Sequence, residues 1–585
     1  MNNCSFHIHI KRGMQLLILI FLFILPQFIS AQHSRYIVYF KDKAGTSFSI
    51  SSPSSYLSSK SIDRRIRFGI PIDSTDLPVS SSYISQLQQI ENLEVVSSSK
   101  WLNAVLIKIN NPVTLDEVQQ LPFVKSKKAI ANIAFPLADI PFEDQKNYSV
   151  QPLPSNEILS SRAGLNLLLN ENILSYGQSE NQISVHNGNF LHNKGFTGKG
   201  ITIAMIDAGY TAYHTNPAFD SIRNSGRILG GYDFVLNNPG VSTHHTHGSY
   251  CLSVIASNLP GKMVGSAPGA AFWLLRTEDA ASEYLIEEYY WAKAAEFADS
   301  AGADMISSSL GYTSFDDPAM NHSYSDRDGN SSMATIAADL AAKKGIIVVN
   351  SAGNSGGFAS DERYISCPAD GDSVLAVGAV KHNLEIAAFS SWGPNSNGKI
   401  KPNVVSIGEG TILVNATGNP VSGNGTSFSA PNISGLIASL WQAFPDFNNM
   451  EILAAVENSA HKRNNPDERF GYGIPDFKLA YEELLNARVK RNLQNLLEDN
   501  NFKIFPNPYH NSFNIAFIPR TSGITYIQVS DAVGRVILHR QVTVTEGEAF
   551  NLPIHSLSEM PVGLYLISII DSKGIRTKKL IKARF

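Results

Sequence analysis

The stretch GITIAMID, residues 200–207, is a nearly continuous apolar run that ends on an acid. A strand with one wet face alternates polar and apolar residues; a strand buried on both faces of a parallel sheet does not. The segments that follow repeat the cue. SEYLIEEYYWAKAAEFADSAG (282–302) has helical spacing, ADMISSSLG (303–311) reads as a strand, MATIAADLAAKKG (333–345) as a helix ending at Gly345, and IIVVNSAGN (346–354) as the next strand. Strand alternating with helix predicts an α/β doubly wound parallel sheet over residues 165–490. Such sheets present functional groups at the carboxyl ends of their strands.

Residues outside this span read differently. At 585 residues the chain exceeds one ordinary core, since domains run to about 150 residues. Lys11 and Arg12 precede the apolar run MQLLILIFLFIL (14–25), and Ile29-Ser30-Ala31 puts small residues before a cut. Residues 1–31 therefore read as a secretory signal peptide, and no other segment is long and apolar enough to span a bilayer. Residues 32–155 mix strand-like runs, RYIVYF (35–40) and AVLIKI (104–109), with the helical SSYISQLQQI (81–90) and TLDEVQQL (114–121), in which Thr114 and Glu117 have capping-box spacing. This predicts a small α+β unit, closed by the Pro-rich, polar stretch 136–157, which reads as an exposed linker. Residues 498–585 carry short strands broken by Gly, Asp, Ser and Pro, the pattern of a small β-sandwich. The formal net charge of −4 gives no reason to expect nucleic acid as a partner. Of three cysteines, Cys4 leaves with the signal; Cys251 and Cys367 are either one bridge or two small buried thiols.

Candidate chemistry lies at strand and helix ends. Asp207 ends the first strand and Asn354 a later one; each stands two positions before a glycine, and each alone is as readily a turn residue. In GNGTSFSAPNISGLIASLWQAF (423–444), Phe428, Ile433, Ile437 and Trp441 have helical spacing, with Pro431 placed in a first turn. Ser427 then lies at a helix N-terminus, where backbone N–H groups favour a developing anion, or where it is simply an N-cap. HHTHGSYC (244–251) holds three histidines. His244 and His247 have H-x-x-H spacing, but no HExxH or CxxC supplies further zinc ligands. His247 begins a helix, a fixed platform for a general base; His244 and His245 read as loop residues.

Four ordered stretches, IAMIDAGY (203–210), HGSYCLSVIA (247–256), NSAGNSGG (350–357) and GNGTSFSAPNISGLIA, together resemble the subtilisin-like serine peptidases. GSAPGA (265–270), FSSWGPNSNGKIKPNVV (389–405) and GYGIPD (471–476) add to the likeness. The resemblance implies a secreted serine endopeptidase in which Ser427 attacks, His247 carries the proton, Asp207 orients the imidazole and Asn354 helps to bind the oxyanion. It implies that Ser309, Leu310 and Gly311 form an edge for the extended substrate. Three positions depart from the family's habit: Ala208 after Asp207, Ser-Tyr-Cys after His247-Gly248, and Asn403 in KPNVV. Residues 32–155 resemble a subtilase propeptide that inhibits in cis. FPNP (505–508), GLYLISI (563–569) and the basic end TKKLIKARF resemble a type IX secretion sorting domain. The partners implied are protein substrates, the chain's own propeptide and the type IX secretion machinery, for a monomer released from, or held on, the outer surface of a Gram-negative bacterium. No cofactor is required and no metal residue is assigned; structural calcium is left open, with Asp326, Asp328 and Asn330 as one acidic loop. The competing reading is an adhesin on an inactive subtilase scaffold.

Overall fold

The computed structural model describes residues 33–132, 148–153, 172–496 and 502–583. The signal-peptide reading, Cys4 and most of the linker reading fall outside the described residues. The chain forms two compact units, residues 1–478 and 479–585.

The first unit opens with β1 (His33–Phe40), α1 (Ser59–Phe68), β2 (Leu93–Ser99), β3 (Ala104–Ile109), α2 (Thr114–Gln120) and β4 (Val124–Asn132). The strands make one antiparallel sheet in the order β2-β3-β1-β4. The capping box expected at Thr114 does not form. The turn starts earlier, at Pro112 and Val113, so Thr114 is the first helical residue and its hydroxyl points to the Glu91 carbonyl. A short strand, β5 (Ser149–Pro152), follows.

The doubly wound sheet is built from β6 (Thr202–Asp207), β7 (Ile228–Asp233), β8 (Ala271–Arg276), β9 (Met305–Ser308), β10 (Ile347–Ser351), β11 (Val374–Val380) and β12 (Val404–Ile407). Its order is β12-β11-β10-β9-β6-β8-β7, parallel throughout. Every residue of β6 is buried, as the apolar run requires. From β6 the chain passes to the edge strand β7, returns to place β8 between β7 and β6, then crosses to the other side for β9, so β6 sits where a doubly wound sheet opens its crevice. Helix α3 (His247–Ala256) packs on β6, whereas α4 (Ile286–Ala301) and α5 (Met333–Lys343) pack on each other. Two antiparallel strands, β13 (Glu409–Val414) and β14 (Pro420–Asn424), lead into α6 (Thr426–Ala443), which packs against α3 and β9–β11.

The antiparallel sheet shares a core with α4: Ile37, Trp101, Ala104, Leu106 and Ile130 join Tyr289, Trp291 and Ala294. Beside this core lies a buried ionic knot. Asp299 of α4 accepts from Arg64 at 2.6 Å and from Arg65 at 2.9 and 3.0 Å, and Arg65 also reaches Asp76 at 2.6 Å. Arg65 is 1% exposed and Asp299 0%. Burial alone would raise the Asp299 pKa, but Lys100, Arg65 and Arg64 together hold it below the usual carboxylate value.

Two histidines are buried neutral. His186 hydrogen-bonds the Pro475 carbonyl at 3.0 Å and Ser406 Oγ at 2.8 Å; His192 pairs with the Tyr176 hydroxyl at 2.7 Å and Ser266 O at 3.0 Å. Burial pulls both pKa values down to about 4, against the opposing pull of those carbonyls. The folded state thus resists protons that an unfolded histidine takes up from about pH 6.5. Stability is full above that value and falls as pH drops towards 4, by up to about 3 kcal/mol per histidine. Urea midpoints measured from pH 7 to 4 are expected to decline accordingly, and His186→Gln is expected to flatten part of that slope.

The second unit contains β15 (Lys503–Phe505), β16 (Phe513–Phe517), β17 (Gly523–Asp531), β18 (Val536–Val544), β19 (Phe550–Ile554), β20 (Gly563–Asp571) and β21 (Gly574–Lys582). A three-stranded sheet, β15-β16-β19, and a four-stranded one, β18-β17-β20-β21, are antiparallel. They close over one core that includes Phe513, Ile515, Ile527, Val529 and Ile567, making a β-sandwich.

Candidate active site

Asp207 is the last residue of β6, and His247 the first of α3. Gly248 allows them to meet: a Cβ there would stand 2.5 Å from Gly209 O and 3.0 Å from the Asp207 side chain. The His247 Nδ1–H donates to Asp207 Oδ1 at 2.7 Å, with His247 2% and Asp207 0% exposed. Asp207 Oδ1 also accepts from the Ala208 amide at 2.7 Å. The carboxylate thus fixes the imidazole's tautomer and leaves Nε2 as its basic nitrogen. Both neighbouring histidines lie in the loop before α3, as expected, and each has a partner. His245 Nδ1 accepts from the His247 amide at 3.1 Å, closing the helix start, and His244 Nε2 lies 3.8 Å from Asp233.

Ser427 is the second residue of α6, and with His247 it lines a cleft of about 440 Å³. Pro431 is the sixth residue of α6, not in the first turn, so its missing N–H leaves the Ser427 carbonyl without its helical partner. Two side chains fill the gap: Ser309 Oγ donates to Ser427 O at 2.9 Å and Cys251 Sγ at 3.3 Å. Ser427 Oγ in turn donates to the Ser309 carbonyl at 3.2 Å. Cys251 also lies 3.8 Å from His247 Nδ1, but burial first, and Asp207 next, push its thiol pKa well up. It is a neutral packing and hydrogen-bonding group. Cys251 and Cys367 are both free and buried, so no bridge forms.

Asn354 faces the same cleft. Its Oδ1 accepts from the Thr426 amide and hydroxyl, each at 2.9 Å. With the oxygen so used, the Nδ2 donors are turned away from Thr426. Ser309, Leu310 and Gly311 run directly on from β9 and form one wall. Leu310 O is held by Asn350 Nδ2 at 2.9 Å.

One visitor was not foreseen. β5 pairs antiparallel with β14, Ser149 opposite Asn424 and Pro152 opposite Val421. The Tyr148 ring stands 4.6 Å from that of His247 and 5.9 Å from Phe428. Residues read as exposed linker are therefore docked, and Tyr148 is 6% exposed. A Tyr and a Val alternating with polar residues in YSVQP is the only local hint.

The family model described as the Subtilase family matches residues 198–473. The chain carries a subtilase domain. A Peptidase S8 propeptide domain of Bacteroidota matches residues 35–149, and a Secretion system C-terminal sorting domain matches residues 503–583. The chain is 28% identical to the Thermostable alkaline protease of Halalkalibacterium halodurans over 50% of its length and 70% of that protein. It is 31% identical to the Thermophilic serine proteinase of Bacillus sp. over 47% of its length and 60% of that protein. Subtilisin BL of Lederbergia lenta is 28% identical over 49% of the chain and 93% of that protein. The subtilase domain is of the serine endopeptidase class, with a propeptide before it and a secretion tail behind it.

Departures of the matched domain from the family's habit have physical readings. Asn403 Oδ1 accepts from the Ala376 amide at 2.9 Å and from Lys401 at 3.1 Å, while Nδ2 donates to Glu457 at 2.8 Å. An Asp there would set a carboxylate against Glu457, so the amide fits this chain's own partner. In the 325–333 loop, Asp328 accepts from the Asn330 and Ser331 amides at 2.8 and 2.9 Å. Asp326 closes a capping box with Ser323. These carboxylates are engaged by neighbouring amides and hydroxyls.

Proposed function

We propose that the chain is the precursor of a secreted serine endopeptidase, with residues 32–155 as the propeptide region, 165–490 as the peptidase and 498–585 as the sorting domain. The observation that carries this reading is the 2.7 Å Asp207–His247 contact beside Ser427 at a helix N-terminus. Ser427 Oγ attacks the scissile carbonyl as His247 Nε2 takes its proton; His247 then protonates the leaving amine, and water repeats the cycle on the acyl-enzyme. Asp207 stabilises the imidazolium. The Ser427 amide and Asn354 Nδ2 hold the tetrahedral oxyanion. Ser309–Leu310–Gly311 binds the substrate backbone on the acyl side. β14 binds the leaving side, where β5 supplies an internal example of the pairing. The substrates are proteins, and the sorting tail delivers the enzyme to the cell surface or medium of a Gram-negative bacterium through type IX secretion.

The processed protein is expected to react with a fluorophosphonate at Ser427 and to cleave casein. A processed protein that does neither is an inactive scaffold, and the proposal fails. Asn354→Ala is expected to lower kcat about 100- to 1,000-fold with KM little changed, since the donor acts mainly on the developing charge. Steady-state kinetics on one peptide measures it.

A further inference from the structure

Between the two walls that flank Ser427 lies a hydroxyl without a partner. Ser366 is 6% exposed and its Oγ makes no hydrogen bond among the described residues. It fills the space left by two glycines. A Cβ at Gly311 would come within 2.1 Å of Ser366 Oγ, and one at Gly353 within 3.4 Å. Gly311 ends the Ser309–Gly311 wall, Gly353 precedes Asn354, and all line the same cleft. A hydroxyl buried there without a partner is costly unless a ligand supplies one.

The charge of the cleft is one-sided. Its lining carries Glu283, Asp316 and Glu362 and, among the described residues, no lysine or arginine. Behind Glu283 stand the buried Glu278 and Glu287; one carboxylate oxygen of each of these three lies within 4.8 Å of the others. Leu310 and Phe358 add apolar surface to the same lining. A long side chain that is apolar along its stem and cationic at its end matches all three features.

We propose that this pocket receives a lysine or arginine of the substrate, at the position just before the scissile bond, with Ser366 Oγ as an acceptor at its floor and the carboxylates around it. The proposal rests on the endopeptidase reading and names its substrate class. A leucine there would leave Ser366 unpaired, and a glutamate would meet like charge.

The test uses the processed full-length product and four peptides that differ only before the scissile bond: Lys, Arg, Leu and Glu. The kcat/KM for Lys or Arg is expected to exceed that for Leu by about 10- to 100-fold, the worth of a hydrogen bond to a charged group, with Glu the poorest. Ser366→Ala and, separately, Glu362→Gln are expected to shrink the Lys-to-Leu ratio, and salt is expected to shrink it further. Equal rates, or a preference for Leu, in a protein whose Ser427 reacts with a fluorophosphonate overturn the pocket assignment alone. No labelling and no cleavage overturn the endopeptidase reading, and this inference with it.

Discussion

Ser427→Ala is expected to abolish both fluorophosphonate labelling and casein cleavage, and to leave the secreted chain uncut at its propeptide. The loss in kcat should approach six orders of magnitude, as for the corresponding change in subtilisin. Removing Oγ takes away the nucleophile but not the fold, because the Ser427 carbonyl keeps its bonds to Ser309 and Cys251. Terminal sequencing provides the sharper comparison. In the wild type the mature N-terminus is expected at Asn147, directly after Lys146 and just before the residues docked beside His247 and Asn424; in the variant it should be absent. Processing that persists in the variant would assign the cut to another protease.

In that uncut background, Asp299→Ala is expected to cost the precursor about 3–5 kcal/mol, because the buried Arg64 loses its counter-charge and Arg65 is left with Asp76 alone. Arg64 is 4% exposed and Arg65 1%, so water cannot take over. The first transition in denaturant should move to lower concentration, and the propeptide region should become the most readily proteolysed part of the chain. Replacing Asp299 and Arg64 together by apolar residues of similar size should restore part of the loss, since Arg65 then keeps Asp76 and no guanidinium is left buried without a carboxylate. Acid should act in the same direction as Asp299→Ala. The Asp299 pKa lies below its ordinary value of 3.8, so its contribution is complete above that pH and is lost as pH falls through the depressed value.

The sheet was legible because burial on both faces leaves an unmistakable mark on β6. The same holds for the helix after Ser427, whose apolar face declares its period. Local rules failed where the deciding partner lies far along the chain. Nothing near Pro431 says that Ser309 and Cys251 take over the work of its missing N–H. Nothing in FADSAG marks Asp299 as buried, since its two arginine partners sit more than two hundred residues earlier. The β5–β14 pairing spans a similar distance, and its residues look like linker because Pro and polar residues also suit a short strand at a sheet edge. Ser366 carried no signal at all: a lone serine before Cys367 acquires meaning only from the two glycines that fold around it.

The docked strand has a consequence for timing. A cut beside Tyr148 divides the chain, but Ser149–Pro152 stays covalently joined to the peptidase that it covers. It competes with substrate as a tethered occupant, at an effective concentration set by its leash and not by dilution. Scission and activity are therefore separate events. The enzyme becomes open for business on other proteins only when its own new amino terminus has peeled off β14, so a lag should separate the appearance of cleaved chain from the first turnover.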